Sequence, residues 1–230
     1  NPKKGTFGVR SGRFLGSMVS REGIRAHPDK VQAIMDMAPP RNVKEVQRLT
    51  GRMAALNRFL SRSAVRGLPF FRILKAPKDF QWTEECQKAF TDLKAYLAEL
   101  PTLTAPELEE TLFLYLSACN EAVSAVLVRE DRGTQRPVYY VSRALQGLET
   151  RYSPAEKLVL ALVHAARKLR SYFQAHSIVV LTDQPLRQIL TKPEVSGRMT
   201  KWAVELAEHD LSYRPRTAIK AQALADFLAE

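Results

Sequence analysis

The chain has 230 residues, 45% of them hydrophobic and 26% charged, with two cysteines, Cys86 and Cys119. This is globular composition, enough for one large domain or two small ones, and it argues against wholesale disorder, a collagen-like repeat or a disulfide scaffold. No run approaches the ~20 apolar residues of a membrane span, the amino terminus carries no secretory pattern, and a reducing compartment is expected. The start at Asn1, without an initiator Met, is read as that of a fragment or processed piece. The net charge of +11 is uneven: residues 1–75 hold 16 basic and 4 acidic groups, 76–110 hold 3 and 8, and 111–230 hold 16 and 12. A basic first third suits a polyanionic partner, most often nucleic acid; a merely cationic surface is the alternative.

In chain order, Thr6–Arg10 and Arg13–Val19 read as strands around a turn at Ser11-Gly12, with a second turn at Ser20-Arg21-Glu22-Gly23. Pro28 suits a first helical position, and Pro39-Pro40 ends that helix. Asn42 with Glu45 predicts a cap for a helix carrying Val43, Val46, Leu49, Met53, Leu56 and Leu60 on one face. Lys44, Arg48 and Arg52 line another face, either a solvated one or a row of cations tracking a phosphate backbone. Residues 61–82 read as irregular. Thr83 caps a helix with Ala89, Phe90, Leu93, Leu97 and Leu100 in its stripe, and a boundary is expected near residue 105.

Strand-like runs follow at Thr111–Leu116, Ala122–Val128 and Pro137–Val141, with a turn at Asp131-Arg132-Gly133. Ser153 and Pro154 open a long helix whose stripe reaches Phe173. Ile178–Leu181 suits a buried parallel strand. A short helix at Pro185–Leu190, a helix at Met199–Glu208, an edge strand at Leu211–Arg214 and a last helix at Ile219–Ala229 complete an α/β pattern with a mixed sheet.

Three carboxylates stand where a metal-dependent phosphodiesterase would need them, since two Mg²⁺ ions ~4 Å apart require several anionic oxygens. Asp183 follows an apolar strand, at the end where open α/β sheets place their sites. Glu156 lies in the first turn of the long helix, and Asp226 in the last helix. Each also has a plainer reading: Glu156 completes a capping box with Ser153, Asp183 caps the next helix, and Asp226 faces solvent. His27, His164, His176 and His209 show no metal-ligand spacing, and no phosphate loop or nucleophile motif appears.

At this point the residues resemble a known family. Residues 1–34 (NPKKGTFGVRSGRFLGSMVSREGIRAHPDKVQAI), 42–60 (NVKEVQRLTGRMAALNRFL) and 80–101 (FQWTEECQKAFTDLKAYLAELP) resemble the end of the reverse transcriptase palm, the thumb and the connection of a gypsy-type LTR retrotransposon Pol polyprotein, with a plant as the expected source. Residues 111–230 resemble its attached ribonuclease H domain. The resemblance implies a small β-hairpin and helical thumb and connection region, then a ribonuclease H-like five-stranded mixed sheet with flanking helices. The corresponding divisions are 1–35, 36–105 and 106–230.

The family enzyme cuts the RNA of an RNA–DNA hybrid with two Mg²⁺ ions and four carboxylates. YSPAEK, LTDQPL and ALADFL place Glu156, Asp183 and Asp226 at three of them, as catalytic residues and metal ligands. The fourth belongs in a first-strand segment resembling D-A-S-D-x-A-I-G-A-V-L, where this chain has SACNEAVSAVL. Ser117 stands at the position of the central aspartate and Asn120 replaces a second acid. A neutral serine is a poor ligand for a hard cation. The resemblance therefore implies hybrid binding and impaired cleavage, with Mg²⁺ weakly held or absent; the charge and spacing of Lys44, Arg48 and Arg52 make that row the preferred contact. An active nuclease in which another acid substitutes is one rival; a relic reused as an interaction module is another. The polymerase motif of Tyr-x-Asp-Asp type has no counterpart here, so the chain alone is not expected to synthesise DNA. The remaining Pol domains are the expected partners, without a membrane, in a cytoplasmic virus-like particle or the nucleus.

Overall fold

The structure is a computed structural model describing residues 11–14, 16–191, 197–216 and 227. It opens with an antiparallel three-stranded sheet of β1 (Ser11–Phe14), β2 (Ser17–Ser20) and β3 (Gly23–Ala26). Ser11 and Gly12 are not a turn, as the sequence suggested, but pair with Ser20 and Val19 inside the sheet. The reversal instead comes around Gly16, whose φ of +76° an L side chain rarely adopts. The expected strand Thr6–Arg10 lies outside the described residues.

Four helices follow: α1 (Pro28–Met35), α2 (Val43–Ala54), α3 (Ser63–Lys75) and α4 (Glu84–Ala98). Asn42 caps α2 by accepting from the Glu45 N–H, and Thr83 caps α4 by accepting from the Cys86 N–H. Helix α1 stops at Met35, before the prolines, and α2 stops at Ala54, short of the last residues of its apolar stripe. Helix α3 corrects the expectation of an irregular segment. It contains Pro69 and has no local cap, because Arg62 stands before it at φ 51°. Its Ala64 N–H is satisfied instead by Ser142 Oγ, 78 residues away, at 3.0 Å. Its buried Ala64, Phe70 and Ile73 supply the packing that outweighs poor helix propensity.

The second half is a five-stranded sheet in the order β6-β5-β4-β7-β8, made of β4 (Leu112–Ala118), β5 (Ala122–Asp131), β6 (Thr134–Ala144), β7 (Ile178–Leu181) and β8 (Leu211–Arg214). Strands β4, β5 and β6 form an antiparallel meander. β7 joins β4 in parallel, pairing Leu112 with Ile178 and Tyr115 with Leu181, and β8 joins β7 in parallel. This is the mixed sheet with flanking helices that the sequence predicts. The long helix divides into α5 (Pro154–Lys168) and α6 (Arg170–Ala175) at Leu169, which leaves helical values at φ −109°, ψ 29°. Two further helices, α7 (Leu186–Thr191) and α8 (Gly197–Leu206), precede β8. The predicted final helix lies outside the described residues apart from Phe227, which is buried.

Alternation along β4 sends its residues to two cores. Leu112, Leu114 and Leu116 face α5, packing in one cluster with Val159, Leu162, Val163 and Ala166. Tyr115 faces the other way, in a cluster with Val126, Val179 and Leu181 of the sheet and with Leu49, Phe59, Phe70 and Phe90 of the helical half. Burying each such side chain contributes roughly 1.5–3 kcal/mol, so the helices of residues 28–98 are held to the sheet by a shared core. The stretch between them is also tied on both sides: Leu103 exchanges two backbone hydrogen bonds with Ile24, and the Thr104 N–H donates to the Pro137 carbonyl. Gly23 permits that approach, since a Cβ there would meet Leu103 O at 2.2 Å.

Candidate functional site

Because β4 and β7 are parallel neighbours, their carboxyl ends open at the same edge. A cleft of about 460 Å³ lies there, lined by Ser117 of β4, Asp183 just past β7, Cys119, Pro154 of α5, Arg62 and Arg216. Ser117 and Asp183 thus come together, as strand parallelism dictates. Asp183 Oδ1 accepts the Arg216 backbone N–H at 3.2 Å, and the side chain is otherwise exposed.

Glu156 is near in the fold but engaged elsewhere. One carboxylate oxygen takes the Ser153 N–H and hydroxyl at 3.0 and 3.1 Å, while Ser153 Oγ in turn accepts the Glu156 N–H. This is the capping box readable from S-P-A-E. The other oxygen accepts from Arg198 Nη2 at 2.8 Å. Arg198, from α8, stacks its guanidinium 4.0 Å from the Tyr152 ring centroid. Its hydrogen bond, with those of Ser153, holds the Glu156 carboxyl below the usual range against an opposing effect of burial. Asp226 lies outside the described residues.

Glu121, the acid nearest Ser117 in sequence, turns away from the cleft. It pairs with Arg72 Nη2 at 2.6 Å, and Arg72 also reaches Glu85 at 2.8 Å. Asn120 offers its carbonyl to Lys157, whose side chain is only 7% exposed and donates at 3.3 Å. Sequence reasoning missed Arg62, Lys157, Arg198 and Arg216 here. Lys157 adjoins the Glu156 motif; the three arginines come from distant segments with no local motif.

The Mg²⁺ ions of the resembled family can be tested against this donor set. Among the described residues no group of three His, Cys, Asp or Glu side chains converges to hold a metal ion. Among the described residues the cleft combines one carboxylate with two guanidinium-bearing residues, and Glu156 is committed to Arg198. The described residues do not fit a two-metal centre.

Of the helical row, Lys44 and Arg48 stand exposed on α2, while Arg52 is half-buried and donates to the Ala33 carbonyl at the end of α1. Asp36 and Glu45 line the same hollow as Arg41, Arg48 and Arg52. No described helix is long and apolar enough to cross a membrane.

Comparison with known proteins places this geometry in a family. Residues 82–180 match the RNase H-like domain found in reverse transcriptase. The retrovirus-related Pol polyprotein from transposon opus of Drosophila melanogaster is 31% identical over 244 residues, covering 100% of this chain and 24% of that polyprotein. The corresponding polyprotein from transposon 297 of the same organism is 31% identical, covering 88% of this chain and 19% of its own length. The chain thus spans about a quarter or less of these relatives. A solved structure of the foamy viral protease-reverse transcriptase in complex with RNA/DNA hybrid shares the fold at TM-score 0.76 and 19% identity, covering 91% of this chain and 30% of that one. These relatives come from an animal and do not bear on the expected plant source. The chain carries the RNase H-like domain of reverse transcriptases at residues 82–180, and its homologues are retrovirus-related Pol polyproteins of transposons.

Proposed function

We propose that this chain grips an RNA–DNA hybrid for the domains of its Pol polyprotein and that cleavage at its own strand-end cleft is impaired. Residues 1–35, 36–105 and 106–230 serve as palm end, thumb and connection, and ribonuclease H-like domain. The observation that carries the impairment is the composition of the cleft. Ser117 and Asp183 line one cleft at the ends of parallel strands, with Arg62 and Arg216 also on its walls and Glu156 held by Arg198. A metal pair bridged at this point needs an anion between the two ions, and a serine hydroxyl supplies none at neutral pH. Guanidinium groups favour a phosphate over a divalent cation, so the cleft is suited to holding a backbone rather than cutting it. The resemblance to hybrid-bound foamy viral reverse transcriptase supports the choice of ligand, and the net charge of +11 agrees with it.

The test is a cleavage time course on labelled RNA–DNA hybrid with millimolar Mg²⁺, comparing the unmodified chain, Ser117→Asp, and Ser117→Asp combined with Asp183→Asn, with Asp183→Asn alone as a control. The expected result is little or no product from the first, partial recovery in the second and loss again in the third. Robust cleavage by the unmodified chain that vanishes in Asp183→Asn would overturn impairment and establish the active-nuclease reading.

A further inference from the structure

Between the loop after α2, the edge strand β6 and helix α5 lies a groove of about 450 Å³. Lys30, Arg58, Arg143, His164 and Lys168 line it, and among the described residues no carboxylate does. Three other clefts among the described residues each contain an acid: Glu121 in one, Asp183 in another, Asp36 and Glu45 in the third. Among the described residues Arg143 is the one groove cation neutralised nearby, its Nη2 lying 2.6 and 2.7 Å from the two Glu149 carboxylate oxygens. Lys30, Arg58 and Lys168 have no ion pair with a described carboxylate.

Arg58 is built in rather than trailing in solvent. Its guanidinium carbon lies 4.7 Å from the Tyr139 ring centroid, and Nη2 donates to the Tyr172 hydroxyl at 3.3 Å. Its backbone carbonyl accepts the Tyr140 N–H at 3.2 Å, which ties the loop to the edge of the sheet. A guanidinium laid on an aromatic ring loses less freedom on meeting a phosphate than one on an unsupported stem. The positive field registers on His164: burial, then Arg143, Lys168 and Arg167, push its imidazole down to about 4, with Glu149 opposing.

We propose that this groove is a phosphate-binding track that receives the sugar–phosphate backbone of the bound duplex. The inference rests on the hybrid-gripping reading above and names a surface for it. The groove suits the task better than the α2 row. There two carboxylates accompany three arginines, and Arg52 is occupied by a backbone carbonyl.

The experiment measures fluorescence anisotropy of a labelled RNA–DNA hybrid titrated with the full chain over a range of salt concentrations. The comparison is with Lys30→Gln/Arg58→Gln/Lys168→Gln. Counterion release predicts that log affinity against log salt becomes shallower by about 0.9 per lost contact, and that affinity at 0.1 M salt falls about eightfold per contact. Two measurements avoid dependence on the triple variant's folding. Lys168→Gln, at an exposed position, is expected to show the single-contact change, and the His164 ring resonances of the unmodified chain are expected to shift when hybrid is added. Tight binding with unchanged affinity and slope in Lys168→Gln, and unmoved His164 resonances, would remove the groove while leaving the grip intact. No binding by the unmodified chain would overturn the grip and the groove with it.

Discussion

Acidification is expected to weaken the fold through one identifiable side chain. The His164 imidazole, partly buried on α5 beside Arg143, Arg167 and Lys168, is pushed from its ordinary 6.5 down to about 4. In the unfolded chain it takes its proton near 6.5, whereas the folded chain resists until about 4. Between those values the unfolded state holds more protons, so stability falls as pH drops. At pH 5 the unfolded residue is almost fully protonated and the folded one largely neutral, a factor of about 30 in the folding equilibrium, or about 2 kcal/mol. The full difference of about 3 kcal/mol is reached below pH 4. His164→Gln removes the titration and keeps a polar side chain of similar reach. Urea unfolding followed by far-ultraviolet circular dichroism at pH 8, 6.5 and 5 isolates the effect. The unmodified chain should lose about 2 kcal/mol more than the variant between pH 8 and 5. Parallel losses in the two proteins would refute the argument that burial and neighbouring cations hold His164 neutral. Bound polyanion should oppose the effect, because phosphate in the groove offsets the cations that disfavour protonation.

Glu156→Ala removes both the capping box and the Arg198 pair, and should cost about 1–2 kcal/mol in urea unfolding at pH 7, whereas Glu156→Gln should cost less than about 1. Since its carboxyl is held below 4.5, this contribution is present above that value and is lost as pH falls through the lower folded one. Lys44→Ala/Arg48→Ala should flatten the salt dependence of hybrid binding by about 0.9 for each side chain that meets a phosphate, measured by the same anisotropy titration. An unchanged slope would leave that row as a solvated face.

Local chemistry made much of this chain legible. The caps at Asn42, Thr83 and Ser153 needed only residues three apart, and the apolar run Ile178–Leu181 announced a strand buried on both faces. The same locality allowed Ser117 to be singled out, because it stands within a segment whose order resembles the family's first strand. Local reading failed where a partner came from far along the chain. Gly67 and Pro69 made residues 61–82 look irregular, yet α3 forms because Ser142 caps it and the sheet buries Phe70. Gly67 itself is accommodated by close packing, for a Cβ there would meet the Phe71 ring at 2.8 Å. The candidate site divides the same way. Sequence determined which acids are present and that Glu156 can cap its helix, since both follow from residue type and short spacing. Only the tertiary structure decided that Arg198 claims Glu156, that Arg72 draws Glu121 away, and that Arg62 and Arg216 share the cleft with Asp183. Those outcomes depend on charges brought together across 42, 49 and more residues, where Coulomb attraction acts on distance in space and is blind to distance along the chain.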